Sequence, residues 1–580
     1  MIDDTNRNTA LASALAEELA RCGVERAVVC PGSRSSPVTL ALDGEAGIAT
    51  TVVLDERAAG FVALGAALSS GRPVAVSCTS GSAAANLMPA VVEAAEAGVP
   101  LILLTSDRPP ELRGIGAGQT IDQVKLYGRA AQWFCEVGTH EANDVGLLHY
   151  RSVACRAVGE AVDGHGPVHL NLAWRDPLGP EPRPDDLRAT DPLATEGRSG
   201  ERPLTVPLSA REPTEPLLAA AAETLAGAER PVIVAGRLPD PAAAAAVAEL
   251  AAATALPVLA EPTSQLRYGR HDRTGVIAAY DLIARERPAA LAPDLVLRFG
   301  DLPTSKALRG WLGAAGGPDQ IVVDPPGGWD DATRKAGVLV RASTESIARG
   351  LARLIHRSDD GEWTARWQAA EEAAQAAIEA VLAETDGSNE PALVRAALGL
   401  PADGEQVLLA SSMPVRDAET FAGGGDREVR VFANRGANGI DGLVATSVGL
   451  ALGNGLPTWA LLGDLALAHD LGGLATIASA PGPLRLIVID NGGGRIFEFL
   501  PQAGQVERER FERLFITPSP LDLERVAALF ELDYVEIETA ADLDAAPERS
   551  RALLHARVDP EQNVGLHRRI AEAVAASLPL

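Results

Sequence analysis

Lysine is nearly missing from this chain: Lys125, Lys306 and Lys335 are the only ones among 51 basic residues, against 78 acidic ones. The net charge is −27, and no cluster of Lys and Arg could neutralise a run of phosphates, which excludes a nucleic-acid-binding role. Aromatic residues are scarce too, at 4%, so the cores have to be aliphatic and alanine-rich. The five cysteines, Cys22, Cys30, Cys78, Cys135 and Cys155, form no CxxC pair and all fall within the first 155 residues. That spacing argues against a thiolate metal site or a disulfide framework and predicts buried free thiols in a reducing cytosol. The opening MIDDTNRNTALASALAEELA is acidic and amphipathic, unlike a signal peptide, so a cytoplasmic location is expected. The uncharged run 442–463 has the 22 residues needed to cross a bilayer. Asn454, Pro457 and five glycines interrupt it, so it reads as a buried helix, a turn and a buried strand, and no membrane span is expected.

What the chain has in quantity is alternation. Short β-branched runs at 27–30, 51–54, 74–78 and 101–105 read as buried parallel strands, with helices over 57–69 and 83–97 between them. A polar stretch rich in Pro, Asp, Glu and Arg, 181–216, reads as a surface linker. Strands resume at 231–235, 258–260, 295–299 and 321–323, and a charged helix over 359–383 marks a second boundary. Strands at 406–410, 428–432, 458–462 and 485–489 belong to a third unit. A chain of 580 residues is too long for one core. The expected fold is α/β, with three successive doubly wound parallel-sheet domains at 1–180, 217–358 and 391–580, joined by the linker 181–216 and a connecting helix at 359–390.

The most specific signal is LLGDLALAHD followed by RLIVIDNGGGRIF. Asp464 is expected to end one strand and Asn491 the next, 27 residues on. Both then reach the carboxyl edge of a parallel sheet, where open α/β sheets bind ligands. Magnesium takes about six hard oxygen ligands and usually shares them with substrate phosphates. An Asp carboxylate, an Asn amide oxygen and a backbone carbonyl of the glycine run, at Gly493, supply one face of such a site. Glycines 492–494 also let backbone approach phosphates closely. A strand-end Asp and a turn Asn-Gly are each ordinary alone; their order and spacing give the pair its weight.

In that pairing the chain resembles the thiamine-diphosphate enzymes, whose usual form is GDG followed by NN. It departs from the form twice, with Leu465 for the last glycine and Gly492 for the second asparagine. The cofactor needs a carboxyl group against its pyrimidine ring, buried from competing cations, to exchange a proton there. Glu56, in TTVVLDERAAGF, is expected at the end of a buried strand and the start of an Ala/Gly-rich helix. The plain alternative for Glu56 is a helix-N-terminal acid favoured by the macrodipole. Because Glu56 and Asp464 fall in different domains, the resemblance implies a homodimer or dimer of dimers with shared active sites.

Six segments narrow the resemblance: CPGSRSSP (30–37), LDERAAGF (54–61), SDRPPELRGIGAGQTIDQ (106–123), SSMPVRD (411–417), NRGANGIDG (434–442) and GDLALAHDL (463–471). Together, and in this order, they resemble the 2-succinyl-5-enolpyruvyl-6-hydroxy-3-cyclohexene-1-carboxylate synthases of menaquinone biosynthesis. Leu465 is a feature of that family's own segment. The resemblance implies a transferase that removes carbon dioxide from 2-oxoglutarate and joins the remainder to isochorismate in a 1,4-addition. Its cofactors would be thiamine diphosphate and Mg2+, with Mn2+ an alternative metal.

Both substrates are dianions, and a search for arginines in acid-poor, glycine-rich loops returns Arg34 in PGSRSSP and Arg435 in NRGANG. By the resemblance, Ser33, Arg34, Arg108 and Gln119 lie at the isochorismate end. Arg416 and Arg435 hold the carboxylates of oxoglutarate and its adduct, and Lys306 faces substrate. Met413 and Ile440 support the folded cofactor; Ser412, Gly463 and Phe497 match cofactor-pocket positions; Asp464, Asn491 and Gly493 hold the metal. The bland alternatives are an Arg108–Asp107 ion pair and a solvated helix-end role for Lys306. Gly118 stands where the family commonly has Asn, so a contact near Gln119 is expected to be lost or supplied by water. His469 reads as structural. Rival readings are a related thiamine enzyme of the acetolactate synthase or decarboxylase kind, and a non-catalytic thiamine-diphosphate sensor on the same fold. A nucleotide site in the middle domain finds little support, because VIVAGRLPDPAAA lacks a full GxGxxG.

Overall fold

A computed structural model of the chain describes residues 2–206, 211–355, 361–548 and 550–579. The expected boundary at 358/359, the start of the helix predicted over 359–383 and residues 207–210 of the linker lie outside the described residues.

Three six-stranded sheets, parallel throughout, carry the fold. The first contains β1 (Arg26–Val29), β2 (Ala49–Val52), β3 (Val74–Cys78), β4 (Leu101–Asp107), β5 (Trp133–Glu136) and β6 (Val168–Ala173), in the order β2-β1-β3-β4-β6-β5. The second contains β7 (Pro231–Ala235), β8 (Val258–Ala260), β9 (Val276–Ile277), β10 (Leu295–Phe299), β11 (Asp319–Val323) and β12 (Ala336–Val340), in the order β12-β11-β10-β7-β8-β9. The third contains β13 (Gln406–Leu409), β14 (Arg430–Ala433), β15 (Thr458–Gly463), β16 (Leu484–Asp490), β17 (Asp533–Ile537) and β18 (Arg551–Arg557), in the order β14-β13-β15-β16-β18-β17. The chain divides into two compact units. One, Met1–Ser209 with Asn434–Gly455 and Asp470–Gly482, holds the first sheet; the other, Ala210–Ala433 with Leu456–His469 and Pro483–Leu580, holds the second and third.

The expected strands are present with ends moved by a residue or two, and β3 and β4 are buried at every position, as parallel strands covered on both faces must be. The strand next to Glu56 differs from expectation. It lies at the sheet edge, pairing among the described residues with β1 alone, and leaves Val52 68% and Leu54 82% exposed. The helix predicted over 83–97 is two helices, Ser82–Asn86 and Met88–Ala97, because Pro89 has no N–H to continue the first ladder and instead opens the second. The linker also does more than cross the surface. Its one-turn helix Pro192–Thr195 buries Ala194, whose carbonyl accepts from Nε of the fully buried Arg151 at 2.9 Å. The cysteines are free, but Cys22 and Cys135 are only half-buried, and Cys22 Sγ lies 3.7 Å from Cys155 Sγ.

Alanine and glycine have a visible purpose in helices Glu56–Ser70 and Leu443–Asn454, which pack within the first unit. A Cβ on Gly65 would stand 2.1 Å from the Thr446 carbonyl oxygen, and one on Gly449 would stand 2.1 Å from that of Val62. The two backbones touch, so larger residues would force the helices apart. The run 442–463 is indeed a helix, a left-handed glycine at Gly455 and the strand β15, and no described helix is long and apolar enough to cross a membrane. In the second sheet the strand order reverses between β7 and β10, where such folds usually open a ligand crevice. Here a Cβ on Gly236 would lie 1.8 Å from the Asp301 carbonyl oxygen, and Arg237 meets Asp301 at 2.8 Å. That crevice is filled by the chain itself.

Candidate active site

In the first unit the loops after β1, β3 and β4 bring the expected cationic residues together. Gly32 lets the first loop lie against the second, since a Cβ there would come within 2.3 Å of Thr79 Cβ. Arg34 is half-buried and donates from Nη1 to the Trp174 carbonyl at 2.8 Å, with Asp176 3.7 Å away. Burial, and after it the charge of nearby Arg108, lowers the Arg34 pKa. Arg108 Nη1 donates to Ser80 Oγ; that hydroxyl donates to the Gln119 carbonyl at 3.0 Å, and Gln119 Nε2 returns a bond to the Ser80 carbonyl at 3.0 Å. Gln119 is held in the left-handed region at φ 56°, a conformation with a cost that these bonds offset. The alternative, an Arg108–Asp107 ion pair, is not made among the described residues. Asp107 accepts the backbone N–H of Arg108 at 2.7 Å and Asn171 Nδ2 at 2.9 Å, and takes Arg113 as its ionic partner at 2.9 Å, while the Arg108 guanidinium meets the neutral Ser80 hydroxyl. Ser33 is exposed, its carbonyl accepting from Ser36 N–H at 3.2 Å. A Cβ on Gly118 would meet nothing within 4 Å, so the family's Asn could fit there without displacing the chain.

Glu56 opens its helix just after the N-cap Asp55, whose Oδ1 accepts Arg57 N–H at 2.8 Å. Its carboxylate is half-buried rather than buried, because the preceding strand is an edge strand; Asn86 Nδ2 reaches Glu56 Oε2 at 3.3 Å. Arg435 and Ile440, both half-buried, lie in the segment that this unit also contains. The buried carboxylate of Glu93 anchors that segment, accepting the N–H groups of Gly436 and Ala437 at 2.8 and 2.7 Å. A cavity of about 420 Å³ is lined there by Phe61, Met88, Glu93 and Asn434. Sequence reasoning had no signal for Glu93, since its partners lie more than 340 residues away.

In the second unit, adjacent parallel strands β15 and β16 carry the metal candidates at their carboxyl ends. Asp464 is not the last residue of a strand, as expected, but the first of the helix Asp464–His469, because β15 ends at Gly463. Asp464 is buried; burial and then Asp490 push its pKa up to about 6, against amide bonds from Leu465 and Gly493. Asn491 follows β16 directly and is buried too. Among the described residues, neither Asp464 Oδ2 nor Asn491 Oδ1 has a hydrogen-bond partner. Two buried oxygens without donors at neighbouring strand ends fit a hard divalent cation. Gly493 has φ 120°, and a Cβ there would lie 2.3 Å from the Ile516 carbonyl oxygen, so only glycine suits the position; its own carbonyl accepts Arg495 N–H at 2.8 Å.

Ser412 lies between β13 and the helix Met413–Phe421 at φ 79° and ψ −129°, a region almost reserved for glycine. Met413 is buried, and exposed Arg416 folds back to donate to the Ser412 carbonyl at 2.6 Å. Phe497 is half-buried against Phe515, with ring centroids 5.7 Å apart. Lys306 is exposed in the first turn of helix Lys306–Leu312, and His469 is exposed. The residues that went unnoticed are Glu390, Asp417 and His567, all buried, with a carboxylate oxygen of each acid and a ring nitrogen within 4.8 Å of one another. Glu390 accepts from Asn491 Nδ2. Burial and then Asp417 push the Glu390 pKa up to about 8.

Comparison with known proteins shows the family. Residues 9–126 match the family model described as thiamine pyrophosphate enzyme, N-terminal TPP binding domain. Proteins named 2-succinyl-5-enolpyruvyl-6-hydroxy-3-cyclohexene-1-carboxylate synthase align along the length of the chain. The one from Myxococcus xanthus is 42% identical over 100% of this chain and 99% of its own. That from Geobacillus kaustophilus is 39% identical over 98% of each, and that from Chloroflexus aurantiacus 40% over 98% and 96%. Three parallel α/β sheets and the matched domain define the class as thiamine-diphosphate enzymes. Within that class, the chain belongs to the 2-succinyl-5-enolpyruvyl-6-hydroxy-3-cyclohexene-1-carboxylate synthase family.

Proposed function

We propose that the chain removes carbon dioxide from 2-oxoglutarate and adds the remaining succinyl unit to isochorismate, forming 2-succinyl-5-enolpyruvyl-6-hydroxy-3-cyclohexene-1-carboxylate for menaquinone synthesis. The observation that carries this reading is the pair of buried oxygens without donors among the described residues, Asp464 Oδ2 and Asn491 Oδ1, at the ends of β15 and β16. Mg2+ suits them, with Mn2+ as an alternative. When bound, thiamine diphosphate supplies the electron sink that decarboxylation of a 2-oxo acid requires. The chain's own part is to bind, orient and move one proton. Asp464, Asn491 and the Gly493 carbonyl hold the cation, and Gly463, Ser412, Met413, Ile440 and Phe497 shape the pocket around the cofactor. Glu56 exchanges a proton with the aminopyrimidine.

Arg34 and Arg108, with Ser33 and Gln119, grip isochorismate, while Arg416 and Arg435 hold the carboxylates of 2-oxoglutarate and Lys306 faces substrate. Region 1–180 is read as pyrimidine-binding and 391–580 as diphosphate-binding, with 217–358 between them. The active enzyme is read as a cytoplasmic homodimer or dimer of dimers that shares its sites. Leu54, 82% exposed two residues from Glu56, and Ile115, 70% exposed, support a face that a second copy covers. The test is isochorismate loss, followed by absorbance, with purified protein, thiamine diphosphate, Mg2+ and 2-oxoglutarate. Loss that needs every addition is the expected result. Carbon dioxide release without isochorismate loss would assign a different acceptor, and no reaction together with no cofactor binding would overturn the reading.

A further inference from the structure

We propose that Glu390 is a positioning residue for the metal: its carboxylate takes the Nδ2 amide of Asn491 and so turns Asn491 Oδ1 toward the cation. The inference rests on the reading of Asp464 and Asn491 as metal ligands. An asparagine amide can present either its NH2 or its oxygen, and only the oxygen can ligate a hard cation. A Glu oxygen that accepts from the amide NH2, whether the group is ionised or neutral, holds the amide oxygen on the opposite side and so selects a single orientation. Glu390 is placed in that way, accepting from Asn491 Nδ2 while Oδ1 stands on the other side without a partner among the described residues.

The surroundings fix Glu390 in turn. It is fully buried as the first residue of helix Glu390–Gly399, where the macrodipole favours a negative charge, and the side chain of the N-cap Asn389 accepts Ala392 N–H at 3.0 Å. Beside it, His567 places Nε2 2.9 Å from Asp417 Oδ1 and Nδ1 2.8 Å from the Asn563 carbonyl. Both ring nitrogens face acceptors, so the ring carries both protons. As an imidazolium it offsets the charge of Asp417 and has no lone pair left for a metal, which sets this cluster apart from the metal site itself. Asp417 lies on the helix that begins with Met413, so the cluster ties that helix to the metal ligand.

The experiment is a calorimetric titration of Mg2+ into the full-length protein held at saturating thiamine diphosphate, with the thermal midpoint of the cofactor-free protein as the folding control. Outer-shell partners commonly contribute roughly 10–100-fold to metal affinity. Glu390→Leu is expected to weaken Mg2+ binding by that factor, and Glu390→Gln, which keeps an acceptor oxygen, by less than about 5-fold. In an Asn491→Asp background both oxygens can ligate and no orientation is needed, so Glu390→Leu should there change Mg2+ affinity by less than about 3-fold. A loss that disappears with the amide is not expected from a packing role. If Glu390→Leu does not fold, Glu390→Ala takes its place in both backgrounds. Unchanged affinity in Glu390→Leu, or an equal loss in both backgrounds, would overturn the inference. Unchanged affinity in Asp464→Ala would instead remove the metal reading beneath it.

Discussion

The first and third sheets have the same strand order, counted within each sheet as 2-1-3-4-6-5, yet their equivalent loops hold opposite chemistry. After the first strand stand Arg34 in one and Ser412 and Met413 in the other; after the third, Ser80 and Asp464; after the fourth, Arg108 and Asn491. The first and third strands flank the point where the strand order reverses, and the fourth lies beside the third, so all three loops border the place where open α/β sheets bind ligands. In the first sheet the polar groups are guanidinium donors resting on a carbonyl and a hydroxyl, an arrangement suited to an anion. In the third they include two buried acceptor oxygens, Asp464 Oδ2 and Asn491 Oδ1, without donors among the described residues, suited to a cation. The topology supplies positions, and a handful of side chains decides the sign of what binds there.

The comparison breaks most visibly at Glu56. Glu56→Gln should leave the thermal midpoint unchanged and lower turnover by roughly 10²–10⁴-fold, the usual contribution of positioned proton transfer. A variant keeping more than about a tenth of the rate would remove Glu56 from the chemistry. Next in size is the anion end. Arg108→Gln should raise KM for isochorismate by roughly 10–100-fold, matching about 1.5–3 kcal/mol for a hydrogen bond to a charged group, with KM for 2-oxoglutarate unchanged. Equal rises in both constants would mean the first sheet does not discriminate between the substrates.

The cation end has a signature in the cofactor-free protein. Asp464 has a folded pKa near 6 against an ordinary value of 3.8, so the folded state holds the extra proton and stability falls as pH rises between those values. Asp464→Asn removes that cost. The variant should be more stable than the parent by up to about 3 kcal/mol at pH 8, with no gain at pH 3, and should lose the stabilisation that Mg2+ with thiamine diphosphate gives the parent. Urea unfolding at the two pH values checks it, and a loss of stability at pH 8 would contradict the cause assigned to the shift.

The same contrast explains what could be read from the sequence. Runs such as VAVSC and LILLT declare buried parallel strands because burial on both faces demands continuous apolar residues, and Asp464 and Asn491 announce themselves by lying just past two such runs. Arg34 and Arg435 were visible as charges in glycine-rich loops. The edge position of β2 was not, since TTVV is equally apolar at an edge or in the middle, and it changed the expected burial of Glu56. Nor was the Asp107–Arg113 pair that replaces Asp107–Arg108, because adjacency in sequence says nothing of which way a guanidinium turns. Glu390 and Glu93 were silent for another reason: each acts on a partner more than 100 residues away, and one sequence holds no record of that.

The smallest expected effect concerns the middle sheet, and it separates fold from function most sharply. Its reversal point is built by the same topological rule as an open crevice, with glycines 236 and 300 permitting close approach. Those glycines do not admit a ligand; they admit backbone, and the Arg237–Asp301 pair at 2.8 Å closes what is left. Arg237→Ala should therefore change kcat and both KM values by less than about twofold and lower stability by about 1 kcal/mol or less, as for a partly exposed ion pair. A large loss of activity with unchanged stability would show that this crevice, too, has an occupant, and the contrast between furnished and filled reversal points would fail.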